Sequence, residues 1–416
     1  MELAPPLTSG GCQQCHPGAS LGTSAKSLVA RYVALDADNV LSPGCIQWDA
    51  SGRIVSLRRA RKSEPVRDVA VLPGLVNAHA HLQLEPLAQP VRAFLPWVTA
   101  VIASRGEHSA ADHRRIALHS MRELLRSGTT AIGEIDSTGQ ATAALRRLPM
   151  AGRCYRELTG FHLQHREARA LVRERFPSGV SSMLPGLSPH APYSVSPDLM
   201  RAAAARTRNL AIHCAELPEE QQFLRTGRGP FEDLLRRLGR LPEGFAAPGC
   251  GAVRWLEQLG MLRASTQLVH CQELERGDAA RIAASGASIA VCPGTIDYFA
   301  RTPPPVSKWL KLGIPVALGT DSHASNRGLS MRLELARAAA FWPELAPREL
   351  LRMATESGGR SLNGPFGGLR RGRRADFLTV AAQGSWADTL GAFVHNLVPV
   401  TRVVLAGTTH RIYADR

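Results

Sequence analysis

Val71-Leu72-Pro73-Gly74-Leu75-Val76-Asn77-Ala78-His79-Ala80-His81-Leu82 decides how this chain is read. A short apolar run, broken by Pro-Gly, delivers two histidines separated by one residue. On an extended backbone side chains alternate between faces, so His79 and His81 point the same way. Two imidazoles aimed at one point from the end of a buried strand are half of a metal site. Alone, such a pair more often sits solvated beside a turn. The rest of the chain changes that balance.

Downstream, short apolar runs alternate with longer amphipathic stretches. The runs end at His79/His81, Gly133-Glu134-Ile135, Cys154 to Leu158, Leu187-Ser188-Pro189-His190, Ala211-Ile212-His213, Leu268-Val269-His270, Ile289 to Cys292, and Val316 to Asp321. Eight such units predict an α/β fold, a (β/α)8 TIM-type barrel whose site lies at the carboxyl ends of its strands. An open doubly wound sheet is the alternative, but no Gly-rich phosphate loop supports it. Residues 28–72 and the C-terminal end carry β-type runs, which predict a small β-sandwich built from both ends (28–72 plus 372–416) around a barrel over 73–371. Residues 1–27 read as a disordered tail or an over-long start.

The strand ends carry the chemistry. His79, His81, His213 and Asp321 make three imidazoles and a carboxylate, a set suited to one divalent ion, Zn²⁺ first and Fe²⁺ second, with a position left for water. Such a metal lowers the pKa of water from 15.7 to about 7. Glu216 lies three residues past His213 and is expected to carry a proton to a ring nitrogen or leaving group. Its plainer role is an acid near a helix N-terminus. His270 is expected to hold the attacking water and intermediate rather than serve as a further ligand. His190 is expected to face substrate; packing under its Pro-rich loop is the bland alternative. No lysine occurs between Lys62 and Lys308, so no carboxylated lysine can bridge two ions.

Composition bounds the partners. The formal charge is +15, yet only four of the 50 Lys and Arg residues are lysine (Lys26, Lys62, Lys308, Lys311). Arginines are dispersed over helix-like faces rather than gathered with aromatics, so neither nucleic acid nor membrane is expected as partner. No apolar run of about 18 residues and no export signal is visible, which points to the cytoplasm. Eight cysteines in so long a chain do not read as a disulfide framework; Cys214, Cys271 and Cys292 read as buried fillers. Cys12-Gln13-Gln14-Cys15-His16 matches a haem-attachment pattern formally, but accidental tail sequence is the better reading.

Pro73 to Leu82, His213-Cys214-Ala215-Glu216, Val269-His270-Cys271 and Leu318-Gly319-Thr320-Asp321-Ser322 together resemble, in order, the signatures of the amidohydrolase superfamily. The branch is that of guanine, adenosylhomocysteine and triazine aminohydrolases. The resemblance covers about residues 28–416. It implies the barrel, the small β unit, one divalent metal on His79, His81, His213 and Asp321, Glu216 as proton shuttle and His190 as substrate contact. It also implies that Asp321 takes a proton from the attacking water. Phe94-Leu95-Pro96-Trp97 with Ala103-Ser104-Arg105, and Gly128 to Ile135, resemble aminofutalosine deaminases, which remove the amino group from a purine-like nucleoside; this makes Trp97 a substrate contact. Cys292-Pro293-Gly294-Thr295-Ile296-Asp297-Tyr298-Phe299 departs from the Ser-Asn pattern of many relatives. That loop, with Tyr298, is expected near substrate, and His323 at the rim.

The expectation is hydrolytic deamination of an aminated N-heterocycle, such as an adenine-type nucleoside, with release of ammonia. The alternatives are hydrolysis of a triazine C–Cl or C–N bond or of a cyclic amide, a non-catalytic barrel, and, weakest, a redox protein on Cys12, Cys15 and His16. The expected partner is a small-molecule substrate; the resemblance leaves a homodimer open.

Overall fold

The computed structural model describes residues 25–174 and 182–412. The haem-like Cys12-Cys15-His16 motif and most of the expected 1–27 tail lie outside these residues, while Lys26 and Ser27 already belong to the first strand.

Eight strands leave from the two ends of the chain to form one sheet. They are β1 (Lys26–Ala34), β2 (Val40–Leu41), β3 (Gly44–Trp48), β4 (Ile54–Arg59), β5 (Arg67–Pro73) and, from the C-terminal end, β14 (Phe377–Ala381), β15 (Val400–Leu405) and β16 (Thr408–Arg411). The order is β16-β15-β14-β5-β1-β3-β4, with β2 on β1. β5 joins the two contributions, parallel to β1 and antiparallel to β14. The expected sandwich is thus a single sheet whose flanks fold over a private core of Leu28, Val33, Ile46, Trp48, Val71, Phe377 and Val404. The Trp48 indole donates to the Gly407 carbonyl at 3.0 Å, tying the flanks together.

Between these ends lie the eight parallel strands read from the sequence: β6 (Leu75–Ala80), β7 (Thr129–Asp136), β8 (Ala151–Leu158), β9 (Met183–Pro189), β10 (Leu210–Cys214), β11 (Thr266–His270), β12 (Ser288–Val291) and β13 (Val316–Leu318). They pair in chain order. Several, including β6, β7, β10 and β11, are buried along their whole length, as strands covered on both faces must be. Helices cover the outside. After β6 come α1 (Phe94–Glu107) and α2 (Ala110–Arg126), the second started by a Ser109/Asp112 capping box. The ring closes where Ala80 bridges Asp321: Asp321 N–H donates to the His79 carbonyl at 3.0 Å, and His81 N–H to the Asp321 carbonyl at 3.3 Å. Gly319 permits this closeness, since a Cβ there would lie 2.9 Å from the His79 carbonyl oxygen. No helix among the described residues is long and apolar enough to cross a membrane.

Candidate metal centre and active site

Each expected ligand stands at the carboxyl end of a barrel strand, facing the axis. His79 comes from β6, with His81 just beyond it. His213 lies on β10 and His270 ends β11, in a register that sets Cys214 opposite His270. Ala215, His270, Cys271 and Asp321 adopt left-handed backbone, with φ of 50°, 72°, 53° and 58°. Non-glycine residues reach this region only when their surroundings impose it, and such strain gathers at functional sites.

The side chains converge. The ligand atoms of His79, His213 and His270 lie within 4.8 Å of one another, as do those of His79, His81 and Asp321. His79 is common to both groups. Asp321 Oδ1 sits 3.7 Å from His79 Nε2 and 3.8 Å from His81 Nε2. The four expected ligands are therefore gathered, with His270 as a fifth neighbour. His79 is fully buried, yet neither ring nitrogen has a hydrogen-bond partner. A buried, unsatisfied imidazole is costly, and a cation at the shared point would satisfy it. His213 Nδ1 lies 2.9 Å from the His190 carbonyl. That contact fixes the tautomer and turns Nε2 towards the same point. Burial draws His79, His81 and His190 down, and His270 to about 4. Neutral imidazoles are what a metal requires. Burial alone would raise the Asp321 carboxyl, but His79, His270 and His81 outweigh it and hold it well below the usual carboxylate range. The donor set fits a divalent ion.

Around the cluster stand the proton-handling candidates. Glu216 Oε2 is 3.7 Å from His270 Nε2, and its Oε1 is 3.1 Å from Arg301 Nη1. Burial pushes this carboxyl up; His270, Arg301 and His213 more than reverse it. Thr295 donates to Asp321 Oδ2 at 3.0 Å, so the unusual segment after β12, which forms a short helix (Pro293–Tyr298) rather than the expected loop, does reach the site. Asn77 accepts from the backbone N–H groups of His79 and Thr320 and donates to the Thr320 hydroxyl, bracing first strand against last.

A cavity of about 460 Å³ opens above the cluster. His81, His190, His213, Glu216, His270 and Asp321 form its floor, and Phe94, Trp97, Val101, Phe231 and Leu235 much of its wall. Trp97 lies on α1, its indole N–H spent on the Ala324 carbonyl at 2.7 Å, so its ring is what it offers a ligand. Two expectations move. Tyr298 lies outside the lining: its hydroxyl accepts from Val91 N–H at 3.1 Å, and its ring carries the Arg92 guanidinium at 4.8 Å. His323 faces away, 3.1 Å from Glu123 on α2. Arg301, Thr295, Asn77 and Glu157, which also lines the cavity, are the functional candidates that sequence reasoning did not single out. Strand alternation carried a signal for Glu157 and for Asn77, which shares the face of His79 and His81.

A parallel eight-stranded ring with an imidazole and carboxylate cluster at its mouth defines a class, the barrel hydrolases that work through a divalent metal. A family model described as the amidohydrolase family matches residues 70–409. The chain belongs to that family and is a hydrolase. It is 33% identical over 353 residues to the aminodeoxyfutalosine deaminase of Deinococcus radiodurans, covering 78% of this chain and 81% of that one. It is 28% identical over 335 residues to a 5-methylthioadenosine/S-adenosylhomocysteine deaminase of Desulforamulus reducens, covering 75% and 72%. Among solved structures, the fold resembles Helicobacter pylori aminofutalosine deaminase (TM-score 0.78, 20% identity, covering 93% of this chain and 100% of that one). It also resembles a zinc-bound Xanthomonas campestris adenosine deaminase (TM-score 0.74, 20% identity, 94% of each).

Proposed function

We propose that this chain is a metal-dependent aminohydrolase that removes the amino group of an adenine-type nucleoside, aminodeoxyfutalosine being the first candidate, and releases ammonia. The observation that carries this is His79, buried with both ring nitrogens unpartnered and shared by the two ligand groups, with the Glu216 carboxylate beside the same cluster, 3.7 Å from His270 Nε2. The names of the sequence relatives supply the substrate class.

His79, His81, His213 and Asp321 would hold one divalent ion, Zn²⁺ before Fe²⁺; when bound, it supplies Lewis-acid activation of water. The side chains supply the rest. Asp321, with Oδ2 anchored by Thr295, accepts a proton from the attacking water. Glu216, steadied by Arg301, delivers a proton to the ring nitrogen next to the amino-bearing carbon. Water adds at that carbon and gives up both its protons, one through Glu216 to the ring nitrogen and the other through Asp321 to the departing nitrogen, so that the C–N bond breaks and ammonia leaves. His270 hydrogen-bonds the oxygen entering from water. His190, with Nδ1 engaged by Ser194 at 2.7 Å, keeps Nε2 for the substrate. Trp97 offers a ring face to the purine. The six cysteines among the described residues are all free thiols, which supports the reducing cytoplasmic setting.

The test is ammonia release from adenosine, 5′-methylthioadenosine and aminodeoxyfutalosine, with atrazine as the competing substrate, by zinc-loaded protein. Ammonia from at least one nucleoside is expected. Turnover of atrazine with none of any nucleoside would overturn the reading.

A further inference from the structure

Outside the cavity lining stands a buried carboxylate that the proposed chemistry does not use, Glu334 on the helix Met331–Phe341. Its side chain is fully buried. A carboxylate taken out of water is costly unless donors surround it, and here they do. Gly294 N–H donates to Oε2 at 2.6 Å, while Asn326 Nδ2 and Arg337 Nη1 donate to Oε1 at 3.0 and 2.9 Å. All three neighbours are donors, so the group is satisfied as an anion.

These contacts lead to Asp321 by two routes. Pro293 has no N–H, so Gly294 carries the first donor of the short helix Pro293–Tyr298 that the helix itself cannot satisfy. Glu334 accepts it and so fixes how that helix is rolled. Next in the chain, the Thr295 hydroxyl donates to Asp321 Oδ2 at 3.0 Å. On the second route, the Asn326 amide that reaches Glu334 also donates to the Thr320 carbonyl at 2.9 Å. The peptide between Thr320 and Asp321 is thus gripped at both edges, since Asp321 N–H donates to the His79 carbonyl. Asp321 needs that grip, because a non-glycine residue keeps a φ of 58° only under constraint. The fit is close: a Cβ at Gly294 would collide with the Asn326 amide. With Oδ2 engaged by Thr295, Oδ1 is the oxygen that faces His79 Nε2 and His81 Nε2, at 3.7 and 3.8 Å.

We infer that Glu334 is a positioning residue: through Gly294 and Thr295, and through Asn326 and Thr320, it holds the Asp321 carboxylate with Oδ1 turned to the imidazole cluster. The inference rests on the reading of Asp321 above as ligand and proton acceptor. It gives a role in the reaction to a residue that touches neither substrate nor any of the proposed ligands.

A cycle of variants separates this from a clasp that only joins two helices. Glu334→Gln keeps an acceptor for Gly294 N–H but turns an amide group against Asn326 and Arg337, both donors. Thr295→Val deletes the hydroxyl and keeps the shape. Two readouts need no turnover: zinc affinity by competition with a chromophoric chelator, and the visible absorption of cobalt(II)-loaded protein, which follows ligand geometry. Each single variant should bind zinc about 10- to 100-fold more weakly and shift the cobalt band. The double variant should lie within about 3-fold of the weaker single one, because both break one chain of contacts, whereas independent losses multiply. Asn326→Ala cuts the second route, should weaken zinc binding as well, and serves if Glu334→Gln does not fold. Wild-type zinc affinity and cobalt band in folded Glu334→Gln or, failing that variant, in Asn326→Ala would overturn the inference, as would losses that multiply in the double variant. Ammonia assays separate it from the parent reading. Shifted cobalt bands with no ammonia from any adenine nucleoside remove the deaminase and leave Glu334 its role. Ammonia release with an unmoved band in Glu334→Gln does the reverse.

Discussion

Arg301 Nη1 lies 3.1 Å from Glu216 Oε1, and its guanidinium is packed 4.5 Å from the Phe299 ring and 5.6 Å from that of Phe94. The acid proposed to carry the proton is therefore clamped by a cation that two aromatic rings hold in place. Glu216 must be ionised in the free enzyme to accept a proton. Arg301→Leu keeps the apolar packing and removes the positive charge, so the Glu216 carboxyl should titrate higher. The acid limb of kcat/KM is expected to move to higher pH. An acid limb that stays in place in a folded variant would show that the pair is only structural.

Glu216→Gln removes the transferable proton but keeps the shape. Turnover should drop by about 10²- to 10⁴-fold, while metal content by atomic absorption stays at the wild-type level, since Glu216 belongs to neither ligand group. Near-normal turnover would take the shuttle role away from it.

Metal grip should depend on Gly319. A Cβ there would press within 3.0 Å of the His79 Cβ and backbone nitrogen. Gly319→Ala should weaken zinc affinity by about 10- to 100-fold, the scale on which disturbing a ligand's support is felt. Stripping the wild type with a chelator should abolish turnover and lower its melting temperature; an ion present at 100 times its Kd adds about 2.7 kcal/mol of stability. A melting curve indifferent to chelator would argue against a resident ion.

Glu220 gives stability a pH dependence. Burial pushes its carboxyl up to about 8, and it accepts the Glu216 backbone N–H at 2.8 Å. Between about 4.5, the ordinary value, and about 8, the folded chain keeps a proton that the unfolded chain gives up. Glu220 therefore favours folding most below about 4.5, and that contribution declines as pH rises to about 8. Glu220→Gln should melt with a shallower fall between pH 5 and 8. Parallel melting profiles for the two proteins would refute this.

Most of the architecture was legible because buried parallel strands read as short apolar runs with polar terminators. The runs ending in His79, His190, His213, His270 and Asp321 became staves of one ring with those residues at its mouth. The loops were not legible in the same way. Arg301 reaches Glu216 across 85 residues of sequence, and no local periodicity announces such a contact. Tyr298 was expected beside substrate because its segment is unusual; that segment, a short helix, does reach the site, but through Thr295, while the buried Tyr298 ring secures Val91 and Arg92 instead. His323 follows Asp321 closely, yet the turn sends it to Glu123. Packing between elements decides these orientations, and strand patterning does not encode it.

The hydrogen bonds between His79, His81 and Asp321 that shut the ring involve the residues proposed to grip the ion. A chain emerging from the ribosome thus has no finished cradle for a cation until Asp321 has been added and has docked. Under the proposed ligation, loading doubles as a checkpoint on assembly, and a molecule that has taken up its ion has, by that fact, drawn its circle shut.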